Sequence, residues 1–302
     1  MEKNKSIQIS GYISQSIIKQ AIKIDYTKDE LCREYEKLDE KQLQELERAG
    51  LYDGDFEKYY VIKKLCDRLD LWKYADDEYM KKLFSEARKL DRKSFYENDY
   101  LKNIKVPTIS KDNVLLHNAC YEKGEFLQYD MPKLSSDIVV PKLAFFDSDV
   151  YFPSVYEGNM PWVSVCPSEI NSMDIDIDKA VGRCLVLGLG LGYYPYMISK
   201  LENVKKITVV EISEKIIELF KEHILPQFEN KEKIRIVHAD AIEYMKQVER
   251  EEYDYCYADI WEGQADGAPL YKAIKKHEKR LPYTRFAYWI EDEIKWYIDQ
   301  TE

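Results

Sequence analysis

Three of the eleven glycines fall within five residues, in the run Cys184-Leu-Val-Leu-Gly188-Leu189-Gly190-Leu-Gly192. An apolar strand that runs straight into such a loop, and then into a helix, lets backbone approach a ligand closely. The free N–H groups of the helix start face that ligand. A tight turn without a ligand needs only one glycine, so the bland reading explains less of the pattern. Nineteen residues after Gly192 a second strand ends in Val209-Val-Glu211-Ile212, and an acid there can accept both hydroxyls of a ribose. A third strand ends in Val237-His238-Ala239-Asp240-Ala241, where Asp240 either contacts a ligand or caps the next helix. A fourth ends in Tyr257-Ala-Asp259-Ile-Trp261.

The glycine spacing is GxGxG, with Tyr193 at the sixth position, and it differs from the dinucleotide pattern GxGxxG. The Walker lysine is absent. Taken in order, these motifs resemble the class I S-adenosylmethionine-dependent methyltransferases, nearest the spermidine-synthase-like branch, over roughly residues 180–290. The resemblance implies S-adenosylmethionine as cofactor, held by Gly188, Leu189, Gly190, Gly192, Glu211, Ile212, Asp240, Ala241 and Asp259. It makes Glu211 the ribose acid. It sets Asp240 on the adenine amine and the N–H of Ala241 on a ring nitrogen. Asp259 is the candidate for orienting or deprotonating a nucleophile, against the alternative that it only binds cofactor or ends its strand. Tyr193, Trp261, Trp162 and Glu169 are the candidate substrate residues, each weighed against plain packing or, around Trp162 and Glu169, a linker with Ser168 capping a short helix. The chain departs from the family in having Val186, not an acid, two residues before the first glycine, and in lacking the Tyr-His-Glu segment of spermidine synthases.

The expected activity is methyl transfer to a small molecule or a protein side chain. The alternatives are an aminopropyltransferase-like enzyme and a non-catalytic nucleoside-binding or assembly module. The segment around Asp259 is unlike the Asn/Asp-Pro-Pro-Tyr/Phe motif of base-methylating enzymes, and 45 Lys+Arg against 56 Asp+Glu give a net charge of -11. Both disfavour nucleic acid, which needs a basic footprint. The four histidines and six cysteines are scattered, so no metal site is expected, and most cysteines read as small buried hydrophobes. His238 reads as a buried strand residue.

The elements that must position these residues follow from pattern. All ten prolines lie at or after Pro107, and the first 106 residues carry only Gly11, Gly50 and Gly54. Residues 1–105 therefore read as a helical domain, serving either packing and homo-oligomerisation or as a lid. Thr27-Lys-Asp-Glu30 predicts a capping box and a helix towards Gly50. Further helices are expected over Phe56–Leu69 and from Asp76–Asp77. Residues 106–170 read as a β-rich connection, with short strands Asp137–Val140 and Ala144–Phe146, a turn at Asp147–Asp149 and a returning strand Val150–Phe152. Residues 171–302 alternate strand and helix, which predicts an α/β, Rossmann-like, mostly parallel sheet with helices on both faces. The resemblance implies a sixth and a seventh strand after the fifth, and with about a dozen residues left before Glu302 the expectation is a sheet either truncated or, by preference, completed by strands from 106–169. The polar N-terminus and the absence of a long apolar run predict a cytoplasmic protein outside the membrane.

Overall fold

The computed structural model describes residues 2–135 and 138–301, so the predicted strand start at Asp137 lies outside the described residues. The first elements in chain order are helices α1 (Glu2–Gln20), α2 (Lys28–Glu36), α3 (Glu40–Arg48), α4 (Phe56–Arg68), α5 (Leu71–Tyr74) and α6 (Asp77–Glu86). Strand β1 (Arg88–Leu90), helices α7 (Arg92–Tyr96) and α8 (Asp99–Asn103), and strands β2 (Ile109–Lys111), β3 (Val114–Tyr121), β4 (Leu127–Ser135), β5 (Ile138–Phe146), β6 (Val150–Glu157) and β7 (Met160–Ser164) follow. The last part alternates: α9 (Pro167–Ile177), β8 (Gly182–Leu187), α10 (Tyr193–Ser199), β9 (Val204–Glu211), α11 (Glu214–Leu219), β10 (Ile234–His238), α12 (Ala241–Gln247), β11 (Tyr255–Ala258), α13 (Gln264–Lys275), β12 (Arg285–Tyr288) and α14 (Glu291–Thr301). The chain divides into two compact units, Met1–Tyr96 with Cys120–Tyr151, and Glu97–Ala119 with Phe152–Glu302.

The first unit packs helices on a three-stranded sheet ordered β1-β5-β4. Its core joins Ile13 of α1, Leu65 and Cys66 of α4, Leu83 and Phe84 of α6, and Val140 and Phe145 of β5. The capping box at Thr27 forms, with the Glu30 N–H donating to Thr27 Oγ1 at 3.2 Å and the Thr27 N–H to Glu30 Oε2 at 2.7 Å. The helix it opens stops at Glu36 and does not run on to Gly50, because a second capping box, Asp39 with Gln42, starts α3. The two short strands expected around Pro141 are one strand, β5. Pro141 is tolerated there because the ladder to β4 shifts register opposite it, between Asp130 and Lys133. The strand after the Asp147–Asp149 turn, β6, does not return onto β5 but joins another sheet.

The second unit carries a five-stranded parallel sheet ordered β10-β9-β8-β11-β12 and a separate four-stranded sheet ordered β2-β3-β6-β7. The expected completion of the parallel sheet by strands from residues 106–169 is therefore wrong. Those strands pair as antiparallel neighbours, β2 with β3 and β6 with β7, and spend their backbone groups on one another. In the parallel sheet the strand order reverses between β8 and β11, which opens a crevice at their carboxyl ends. Arg183 and Asp254 tie the opposite ends of the same two strands, with the guanidinium donating to both carboxylate oxygens at 3.1 and 2.9 Å.

Helix α11 is α-helical only to Leu219 and continues as a π-turn, Phe220–Ile224. Phe220 presses its ring on the backbone of Gly192, where φ is +76° and a Cβ would lie 2.2 Å from the ring. Gly192→Ala meets both a left-handed backbone and an overpacked contact. It should lower unfolding free energy by about 2–4 kcal/mol, read as a fall in the urea midpoint with an unchanged slope.

Candidate active site

The glycine loop is shaped by what lies behind it. Gly188 has φ +98°, and a Cβ there would sit 1.9 Å from the carbonyl oxygen of Asp259. Only glycine lets the ends of β8 and β11 meet this closely, and the Asp259 N–H closes the contact by donating to the Leu187 carbonyl at 2.8 Å. Glu211, buried at the end of β9, accepts from the Leu189 N–H at 3.0 Å and from the Ser213 N–H at 2.8 Å. These two bonds use part of the acceptor capacity of its carboxylate and leave further lone pairs for a ligand. The loop is also held from the segment before the β-rich sheet. The Tyr100 hydroxyl donates to the Leu191 carbonyl at 2.5 Å, Asn98 Nδ2 donates to the Tyr193 hydroxyl oxygen at 2.9 Å, and the Tyr193 hydroxyl donates to Asp174 at 2.7 Å.

Over this loop lies a cavity of about 420 Å³. Twelve of the thirteen predicted site residues line it: Gly188, Leu189, Gly190, Glu211, Ile212, Asp240, Ala241, Asp259, Tyr193, Trp261, Trp162 and Glu169. The exception, Gly192, packs on Phe220 instead. Asp240 does cap α12, its Oδ1 accepting from the Glu243 N–H at 2.9 Å, and the same exposed side chain borders the cavity. Ala241 is the first residue of α12, where a backbone N–H has no partner within the helix. Ile212 leaves 62% of its surface exposed at the cavity wall, and Trp261 is buried against Gly267. Ser168 does not cap a helix: it lies inside α9, whose N-cap is Cys166. His238 is exposed rather than buried, with Nε2 3.0 Å from the Ile212 carbonyl oxygen.

The charge of the cavity walls is one-sided. Glu169, Glu211, Asp240, Asp259, Glu262 and Asp266 all line it, and among the described lining residues there is no Lys, Arg or His. Glu169 and Asp259 come together because α9 is tied to β11 by a hydrogen bond. Asp176, near the end of α9, takes the Tyr255 hydroxyl on its carbonyl at 3.2 Å, and one helical face back from Asp176 leads through Met173 to Glu169. On the strand, Tyr255, Tyr257 and Asp259 share the facing side. Burial pushes the Glu169 carboxyl up to about 7. Burial, then the nearby Glu169 and Glu211 charges, hold Asp259 well above the usual carboxylate range. Asn98 and Tyr100 were not legible as site residues, because neither sits in a recognisable motif, and Tyr257, though it opens the Asp259 motif, was not singled out because an apolar strand position reads as packing.

The four buried cysteines, Cys66, Cys166, Cys184 and Cys256, with exposed Cys32 and half-buried Cys120, are all free thiols. No described group of three or more His, Cys, Asp or Glu side chains is arranged to hold a metal ion. No described helix is long and apolar enough to cross a membrane.

Residues 170–277 match the family profile of the spermine/spermidine synthase domain. That segment is thus similar to the spermine/spermidine synthase domain and has a Rossmann-like α/β fold. Among solved structures, spermidine synthase from Thermotoga maritima is similar at 17% identity and a TM-score of 0.31, over 40% of this chain and 45% of that one. A precorrin 8w decarboxylase from Methanobacterium thermoautotrophicum is similar at 14% identity and a TM-score of 0.32, over 42% and 66%. A spermidine synthase in complex with the transition-state analogue AdoDATO is similar at 16% identity and a TM-score of 0.31, over 40% and 47%. The match thus spans less than two thirds of each of those chains. No curated protein sequence matches this chain.

The raised Glu169 carboxyl has a consequence for stability. Its folded value of about 7 lies above the ordinary 4.5, so the folded state keeps this proton longer than the unfolded chain does. The stability it contributes is complete below about pH 4.5 and is lost as pH rises towards 7. Glu169→Gln should flatten that fall and raise unfolding free energy at pH 8 by on the order of 2 kcal/mol, measured by urea denaturation across the pH range.

Proposed function

We propose that this chain is a transferase using an S-adenosylmethionine-type sulfonium donor and an amine acceptor, in the manner of an aminopropyltransferase. The observation that carries this reading is the cavity with six acids and no basic side chain among its described lining residues. The residues fit the donor. Glu211 has free lone pairs facing the cavity, Asp240 keeps one carboxylate oxygen beyond its cap, Ala241 presents a helix-start N–H, and Ile212 offers an exposed apolar face. These groups match a ribose, an adenine edge and an adenine face respectively.

When bound, the donor supplies an electrophilic carbon attached to its sulfonium. The chain's residues then have two tasks. They must hold an amine that arrives as a cation in line with that carbon, and they must take the proton it loses before it can act as a nucleophile. The Glu169–Asp259 pair suits both: a buried acid pair attracts an ammonium, and burial raises the basicity of both carboxyls, that of Glu169 to about 7. Glu169 stands before the first Rossmann strand, where the sequence lacks Tyr-His-Glu, and so supplies the second acid that the aminopropyl reading requires.

Methyl transfer, expected from the motifs alone, would use the same nucleoside-binding groups. The cavity favours the amine reading because the carboxylate of an intact methionine tail would enter among like charges with no cation to receive it. Incubation with decarboxylated S-adenosylmethionine and putrescine should release 5′-methylthioadenosine. S-adenosylhomocysteine would mark methyl transfer instead, and release of neither nucleoside would contradict the reading. Asp259→Asn should lower kcat about 100-fold or more while the protein stays folded. Glu211→Gln should weaken 5′-methylthioadenosine binding about tenfold, measured by isothermal titration.

A further inference from the structure

Tyr194, Tyr255 and Tyr257 form a buried layer beneath the cavity. Two of their hydroxyls are paired. Tyr194 and Tyr255 share a bond of 2.9 Å, and both reach the Asp176 carbonyl, at 3.0 and 3.2 Å. The ring of Tyr257 stacks on Tyr194, with centroids 3.7 Å apart and planes within 10°. Its hydroxyl is buried and has no hydrogen-bond partner among the described residues. Of these three, Tyr194 and Tyr257 line the cavity and Tyr255 does not.

A buried hydroxyl without a partner works against folding, and phenylalanine would fill the same volume and keep the same stacking. The hydroxyl of Tyr257 therefore has no folding role in this structure. It lies near the carboxyls of Asp259 and Glu169, whose negative charge bears on it. A primary ammonium carries three N–H donors, which a phenol oxygen beside the two carboxyls can share with them. A phenol oxygen is a neutral acceptor that adds no further charge repulsion to a site already crowded with acids.

We propose that Tyr257 is a substrate-contacting residue, its hydroxyl hydrogen-bonding the amine end of the acceptor that Glu169 and Asp259 attract. This rests on the amine-acceptor reading above, and it adds a residue outside the glycine, ribose and adenine motifs. It also accounts for a tyrosine at position 257, on the strand that leads into Asp259.

The test compares Tyr257→Phe with Tyr255→Phe in the full chain. Melting temperature is measured without ligand, and affinities for putrescine and 5′-methylthioadenosine by isothermal titration. For Tyr257→Phe the expected result is a melting temperature higher by about 2 °C or more, putrescine binding weaker by about tenfold, and 5′-methylthioadenosine binding unchanged. Tyr255→Phe removes a paired hydroxyl, so it should lower the melting temperature and leave putrescine affinity as it was. Unchanged putrescine affinity, or a lower melting temperature, in Tyr257→Phe would overturn the assignment alone. Failure of the unaltered protein to bind putrescine, spermidine or 1,3-diaminopropane, while it binds 5′-methylthioadenosine, would overturn the amine reading itself and the assignment with it.

Discussion

The structure turns on the burial of carboxyls gathered around the carboxyl ends of β8, β9 and β11. Glu211, Asp259 and Glu169 share one cavity, and no basic side chain among its described walls offsets them. Burial in a poorly solvated space makes Glu169 and Asp259 hold their protons to higher pH than free carboxylates, and for Asp259 the nearby Glu169 and Glu211 charges add to the effect. Glu211 is managed differently, because the Leu189 and Ser213 N–H groups bind its carboxylate. The protein thus keeps one acid anchored by backbone and two whose protons are held by burial.

That arrangement requires very close backbone approach. Gly188 allows the Asp259 carbonyl to press on the start of the loop, and Gly192 allows Phe220 to press on its end. The loop between is braced by Tyr100 and Tyr193. The three glycines are therefore not interchangeable. The first and third answer to protein neighbours at positive φ, and Gly190, whose added Cβ would meet Val163 at 3.1 Å, answers to the β7 strand beside the cavity. The binding surface arises as the hollow left by these contacts.

Much of this was legible before any coordinates. The alternation of strands and helices after residue 182 is carried by apolar runs and breakers, and the glycine loop, Glu211, Asp240 and Asp259 fall at strand ends where register alone places them together. What was not legible depends on pairing in space. Glu169 meets Asp259 because α9 is tied to β11 through Asp176 and Tyr255, a relation that no local pattern encodes. Asn98 and Tyr100 brace a loop more than ninety residues away in sequence. The strands between residues 106 and 169 could be recognised as strands, yet their partners could not be read, since a hairpin satisfies its own backbone as well as a larger sheet would. Likewise the run from Thr27 to Gly50 looked continuous because a mid-run capping box, Asp39 with Gln42, is built from residues equally at home within a helix surface.

The central claim is that a cation-free, acid-lined cavity sets what this protein accepts. The most direct measurement is the ratio of affinities for decarboxylated S-adenosylmethionine and S-adenosylmethionine, which differ only in one carboxylate, determined by isothermal titration under identical conditions. The account predicts tighter binding of the decarboxylated form by about tenfold or more, with the difference shrinking as salt rises. Equal affinity, or preference for the intact carboxylate, would contradict it.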